Sequence, residues 1–252
     1  MRVIRPSALT ADRRRRPLLL ALSMLAAGLL AGQLTVVGAT TSPAGAGAMA
    51  ASSALGLGIG VAWLLRALNP GRAHAAAESL SGLLSPIFDE SWTLLVAPRL
   101  PVRDAGRLDG VLVGPAGVRI LTVRDWEGRY RVRGRTWEFD ARGRRGWIRC
   151  RTNPSHEAAS LADGVARWAG EAGLGELPVR PTIVFPSGRS RLVLEEPAEE
   201  VLTADNAPWW ANALGRGRRL DPGAVARIVT TVLDAAEADP RATRRQAPRV
   251  DG

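Results

Sequence analysis

The sequence contains no lysine: all 34 basic residues among its 252 positions are arginine. No side-chain amine is therefore available as a base or nucleophile, because a guanidinium stays protonated with a pKa above about 12. Cysteine is confined to Cys150, which excludes an intrachain disulfide and fits a reducing compartment. A lone thiol without an activating partner reads as a small buried or half-buried residue. The two histidines, His74 and His156, have no companion at metal-ligand spacing and read as surface residues. No internal repeat is present, which excludes a solenoid or propeller.

Charge is missing from two further stretches. Residues 17–38, "PLLLALSMLAAGLLAGQLTVVG", and 47–65, "GAMAASSALGLGIGVAWLL", contain none. Each is near the roughly 20 residues that a helix needs to cross a bilayer. The second is rich in Ala and Gly, which suits close helix–helix contact in lipid. The expectation is a transmembrane hairpin over 17–66, with Trp63 at an interface. Arg13–Arg16 precede the first run and Arg66 and Arg72 follow the second, while the link between the runs is uncharged. By the positive-inside rule both termini are expected on the cytoplasmic side of the cell membrane, making the bilayer a partner. The rival reading is a cleaved export signal, with a basic start and an apolar middle.

The net charge of +10 is concentrated at the start. From residue 67 onward 27 arginines face 23 acids, so overall charge establishes no nucleic-acid footprint. The resulting division is a basic segment at 1–16, two spans at 17–38 and 47–65, a linker at 67–75, a folded domain at 76–238 and a disordered tail at 239–252.

Within the domain, residues 74–88 carry an apolar stripe at helical spacing. "SWTLLVAPRL" reads as a strand, and "LDGVLV" and "VRILTV" as a hairpin around Gly114–Gly117. "RYRVRGRTWEF" alternates as strand or hairpin. Asn153 and Pro154 open a helix whose stripe is Ala158, Leu161, Val165 and Trp168. "VRPTIVFP", "RLVLEE" and "EEVLTA" supply more strands, and Asp221-Pro222 opens a closing helix. Trp209–Trp210, after Pro208, reads as a core or helix-entry anchor rather than a stacking platform. Strands grouped between helices indicate an α/β sandwich around a mixed sheet. A four-residue hairpin turn sets Val113 opposite Val118, Val111 opposite Ile120 and Asp109 opposite Thr122. Asp109, Thr122 and Arg124 then share one end of one face.

"LDGVLVGPAGVRIL", the following "DWEG", the Asn-Pro at 153–154, "TIVFP" and "VLTADN" together resemble the nuclease-related domain, NERD. This is a branch of the PD-(D/E)xK nuclease-like fold, and the resemblance covers roughly residues 76–215. It implies an α/β/α core with a mixed sheet. It also implies an Asp on the first hairpin strand and Glu-x-Lys at the end of the second, around Mg²⁺. Asp109 matches the first position, but Thr122 stands where the Glu is usual and Arg124 where the Lys is usual. Gly110 replaces a common His, and Glu157 occupies the Gln position of Asn-Pro-x-x-Gln. Glu78 matches an acid of the family's first helix. Thr122 offers no charge to a cation, and Arg124 can hold phosphate but cannot act as a base.

The favoured reading is thus a membrane-anchored nuclease-related protein with a degenerate site, contacting DNA, RNA or another phosphate-bearing partner. Arg129, Arg131, Arg133 and Arg135 alternate along one strand face and are the expected phosphate contacts. Two alternatives stand beside it. One is a divergent Mg²⁺-dependent DNase using Asp109 with Glu157 or Glu78. The other is a non-enzymatic membrane-tethered scaffold or protein-interaction module.

Overall fold

The computed structural model describes residues 1–5, 12–38, 43–68, 72–102, 108–141, 146–216 and 219–238. The chain divides into two compact units, residues 7–71 and residues 1–6 with 72–252. The tail at 239–252 and part of the 67–75 linker lie outside the described residues, as do Arg107, Arg142, Arg144 and Arg145.

The elements in chain order are β1 (Arg2–Ile4), α1 (Asp12–Gly38), α2 (Pro43–Leu68), α3 (Arg72–Leu84), β2 (Thr93–Val96), β3 (Gly110–Gly114), β4 (Gly117–Val123) and β5 (Gly128–Gly134). There follow β6 (Thr136–Asp140), β7 (Trp147–Arg149), α4 (Pro154–Glu171), β8 (Val179–Phe185), β9 (Ser190–Pro197), β10 (Glu200–Thr203), α5 (Ala207–Gly215) and α6 (Pro222–Glu237).

Helices α1 and α2 pair antiparallel where small residues remove the side chains that would hold them apart. A Cβ on Gly28 would lie 2.8 Å from the Leu57 nitrogen, and one on Gly60 would lie 2.7 Å from Leu25 Cγ. The Ser53 hydroxyl donates to the Gly28 carbonyl at 2.7 Å. The close helical hairpin is as expected, but its transmembrane character is not. Among the described residues no helix is long and apolar enough to cross a membrane.

The second unit is built on a mixed six-stranded sheet of order β1-β2-β3-β4-β8-β10. Strands β3 and β4 run antiparallel, and β4 continues parallel to β8 and β8 to β10. Arg2–Ile4, which sequence alone leaves in a basic leading segment, pair parallel with Thr93–Leu95 at one edge. Burial on both faces explains why β2, β3 and β4 are apolar almost throughout. Val111, Val113, Val118 and Ile120 meet Leu161, Val165 and Trp168 of α4 and Ile228 and Val232 of α6. Leu80 of α3 lies over Gly110 on the other face. Helices therefore cover both faces, and this α/β architecture fits a nuclease-like domain.

A second sheet of order β7-β6-β5-β9 stands beside the first. Its Val132 and Trp137 join Ile183, Phe185 and Ala158 in an apolar cluster. Trp126 of the "DWEG" segment meets Trp137 and Phe185 edge-on, with ring centroids 5.8 and 6.1 Å apart. The segment after the hairpin is thus an aromatic hinge between the sheets. Its acids, Asp125 and Glu127, are both paired with Arg189.

Gly114 permits a close approach at the β3 end. A Cβ there would stand 2.2 Å from Trp92, whose ring is itself buried. Gly114→Ala should lower stability by about 1–3 kcal/mol. Chemical denaturation monitored by tryptophan fluorescence checks this, and an unchanged midpoint would contradict it.

Candidate functional site

The hairpin register places Gly110 opposite Leu121, Val111 opposite Ile120 and Val113 opposite Val118. One step beyond this ladder Asp109 stands level with Thr122, as the turn length implied. All three polar groups at this end are buried: Asp109, Thr122 and Arg124 are 7%, 2% and 6% exposed.

Each is held differently. Asp109 accepts the Val123 N–H on Oδ2 at 2.8 Å, and its own carbonyl accepts the Ala97 N–H at 2.9 Å. The Arg124 N–H donates to the Val184 carbonyl at 2.8 Å, extending the parallel ladder beyond β4. Its guanidinium donates to the Val123 carbonyl at 3.2 Å and to a carboxylate oxygen of Glu157. The Thr122 Oγ1 is buried and has no hydrogen-bond partner among the described residues.

Glu157 reaches Arg124 because α4 is pinned there. Asn153 caps the helix by accepting from the Ser155 and His156 N–H groups at 3.1 and 3.4 Å. Its Nδ2 donates to the Arg135 carbonyl at 3.0 Å, which hooks the cap onto the second sheet. Trp137 Nε1 adds a 2.9 Å bond to the Ser155 hydroxyl. The Asn-Pro pair thus positions the first turn of α4, including Glu157, against the end of β4.

The structure brings Asp109, Thr122, Arg124 and Glu157 to one end of the sheet, but not Glu78. Glu78 lies on α3, across the sheet from α4, and pairs with His74 at 3.1 Å. Gly110 sits beneath α3, where a Cβ would lie 2.9 Å from Leu80 Cδ1. A histidine there would require Leu80 to move.

The donor set does not fit Mg²⁺. The cation requires oxygen ligands converging in octahedral geometry, ordinarily with carboxylate charge. Here Thr122 contributes no charge, Asp109 is engaged by the Val123 N–H, and the Glu157 carboxylate is committed to a guanidinium. Among the described residues, no three His, Cys, Asp or Glu side chains are grouped to hold a metal ion. Cys150 is no substitute nucleophile. Burial, and then the charge of Glu138, pushes its thiol above the usual value.

Arg129, Arg131 and Arg133 lie on β5 and Arg135 in the turn just after it, but the row is far from free. Arg129 faces Asp140 at 3.8 Å, Arg131 faces Glu138 at 2.6 Å, Arg133 faces Glu195 at 2.8 Å and Arg135 faces Glu199 at 3.0 Å. Glu195 and Glu199 come from a segment some 60 residues downstream, which parallel pairing of β5 with β9 brings alongside. The alternation of "RLVLEEP" signals a strand but not its neighbour. Trp147, which sequence reasoning passed over, lies under Arg129 and Arg131 with guanidinium carbons 5.5 and 4.8 Å from its ring centroid. Arg149, Arg151 and Arg191 are exposed and make no ion pair among the described residues. Trp210 is an anchor, donating to Glu200 at 3.0 Å, whereas Trp209 is 80% exposed.

Residues 72–186 match the family model of the nuclease-related domain, NERD. The chain carries a nuclease-related domain. The match begins at α3 and ends just after β8, so it contains the hairpin, the Asn-Pro cap and every side chain at the Asp109 end. No curated protein and no solved structure matches the chain. Thr122 and Arg124 both lie within the matched residues, and Arg124 is paired with Glu157 from α4.

Proposed function

We propose that this nuclease-related domain recognises phosphate-bearing ligands, nucleic acid foremost, without cleaving them. One observation carries the reading: the Arg124 guanidinium is paired with Glu157, opposite an Asp109–Thr122 pair that has a single carboxylate. Among the described residues the second carboxylate at that end of β4, Glu157, is taken up by Arg124, and the chain has no lysine to act as a base there. A planar guanidinium still suits a phosphate oxygen pair. Outer contacts come from residues in and beside the second sheet, where Arg149, Arg151 and Arg191 are exposed and make no ion pair among the described residues.

Salt dependence tests this. Affinity of the full chain for a DNA duplex or an RNA should fall linearly on logarithmic axes as salt rises. Changing Arg149, Arg151 and Arg191 to Gln should reduce the slope by about one for each phosphate that is no longer neutralised. Changing Arg131, Arg133 and Arg135 should reduce it less, because each already faces an acid. Absence of binding to either nucleic acid at low salt would overturn the reading.

A second reading concerns the helical pair. Leu19, Leu22, Leu29, Leu30, Leu55 and Leu65 are exposed apolar side chains on α1 and α2. Arg13–Arg16 and Arg66 flank the same end of the hairpin. Apolar side chains with basic flanks favour seating against an anionic lipid surface, without crossing it. Co-flotation of the full chain with phosphatidylserine vesicles supports this reading, and recovery of all protein in the lipid-free fraction contradicts it.

A further inference from the structure

The Arg124–Glu157 pair joins two side chains in very different surroundings. The Arg124 side chain is 7% exposed and that of Glu157 is 57% exposed. Arg124 is fixed at its backbone by the Val184 carbonyl and at its head by the Val123 carbonyl. Glu157 stands on the first turn of α4 and can rotate into water, where a carboxylate is well solvated. The pair is thus a rigid cation with a detachable anion.

Thr122 supplies the second observation. It precedes Arg124 by two positions, so the side chains share a sheet face. The residue is only 2% exposed, yet its hydroxyl has no partner among the described residues. A buried donor without an acceptor costs about 1–3 kcal/mol, and such groups call for a missing ligand. The nearby Asp109 carboxylate is drawn toward the Val123 N–H.

We propose that the Arg124–Glu157 ion pair is the closed form of a phosphate subsite. The Glu157 carboxylate occupies the position that a ligand phosphate takes on Arg124. A phosphate group enters by displacing Glu157, accepts from the Arg124 guanidinium and takes the hydrogen bond that the Thr122 hydroxyl now lacks. No bond is made or broken in the ligand. The inference rests on the phosphate-recognition reading above and names the residues that gate it.

The test titrates the full chain with inorganic phosphate and, separately, with a short DNA duplex. Binding is followed by the side-chain Nε–H resonance of Arg124 and by heat release. Glu157→Gln removes the competing charge from an exposed helix position and should tighten phosphate binding about tenfold or more. Adding Arg124→Gln, or adding the shape-conserving Thr122→Val, should abolish that gain. Tightening for inorganic phosphate alone assigns the subsite to a free phosphate, and tightening for both assigns it to the nucleic-acid backbone. Glu157→Gln with unchanged or weaker binding of both would overturn the proposal, as would a gain that survives Arg124→Gln. A salt slope for nucleic acid that persists when the Glu157→Gln gain is absent sinks the gate alone. A phosphate gain without nucleic-acid binding sinks the nucleic-acid reading alone.

Discussion

Glu200→Ala is expected to destabilise the nuclease-related domain by about 3 kcal/mol or more, the scale for stranding one member of a buried ion pair. Glu200 is the acceptor for three donors at the β10 edge of the sheet. Arg119 Nε, Thr182 Oγ1 and Trp210 Nε1 each lie 3.0 Å from its Oε2. Arg119 is 4% exposed and Thr182 fully buried, so water cannot replace the lost acceptor for either. The residual exposure of Glu200 keeps the effect toward the lower end of the range. Glu200→Gln should recover part of the loss by keeping an acceptor for Thr182 and Trp210. Replacing Arg119 and Glu200 together with apolar residues should recover most of it, because no unpaired charge then remains buried. Urea unfolding of the four proteins measures this. A loss below about 0.5 kcal/mol for Glu200→Ala would place the pair among surface salt bridges.

Trp137→Ala should cost about 3–5 kcal/mol, the range for removing a large buried aromatic. Trp137 is 2% exposed and stacks on Phe185 with ring centroids 5.7 Å apart. It also donates to Ser155 in the first turn of α4. Its loss therefore opens a cavity between the sheets and loosens the helix that carries Glu157. The expected result is lower stability together with faster hydrogen exchange at the start of α4. A stability loss with unaltered exchange there would show that Asn153 alone positions the helix.

The strands, the hairpin register and the Asn-Pro cap were legible because they follow from local pattern. Alternation, a four-residue turn and a capping side chain each act over a few residues. The Asp109–Thr122 alignment followed from that register and is found as such. What sequence could not give is the partner of each charge. Arg133 meets Glu195 and Arg135 meets Glu199 only because β5 pairs in parallel with β9, a crossover that local pattern does not encode. In the same way local pattern could offer Glu157 as a metal ligand but could not pair it with Arg124, which the fold does. Glu78 stands on α3 and pairs with His74; a helix stripe reveals which face is buried, but not which side of the sheet the helix covers. The two apolar runs did become paired helices. Their freedom from charge suggested membrane spans, yet among the described residues no helix is long and apolar enough to cross a membrane.

Absence of phosphodiester cleavage at the Asp109 end is the point on which the functional reading turns. The direct measurement incubates the full chain with plasmid and single-stranded DNA in Mg²⁺ and in Mn²⁺, beside Asp109→Ala and the double variant Thr122→Glu, Arg124→Lys. The unmodified chain should leave both substrates intact and match Asp109→Ala. Cleavage gained by the double variant would add that the missing acid and amine are the specific lesion. Cleavage by the unmodified chain that vanishes in Asp109→Ala would contradict the non-cleaving reading and make Asp109 part of a working nuclease.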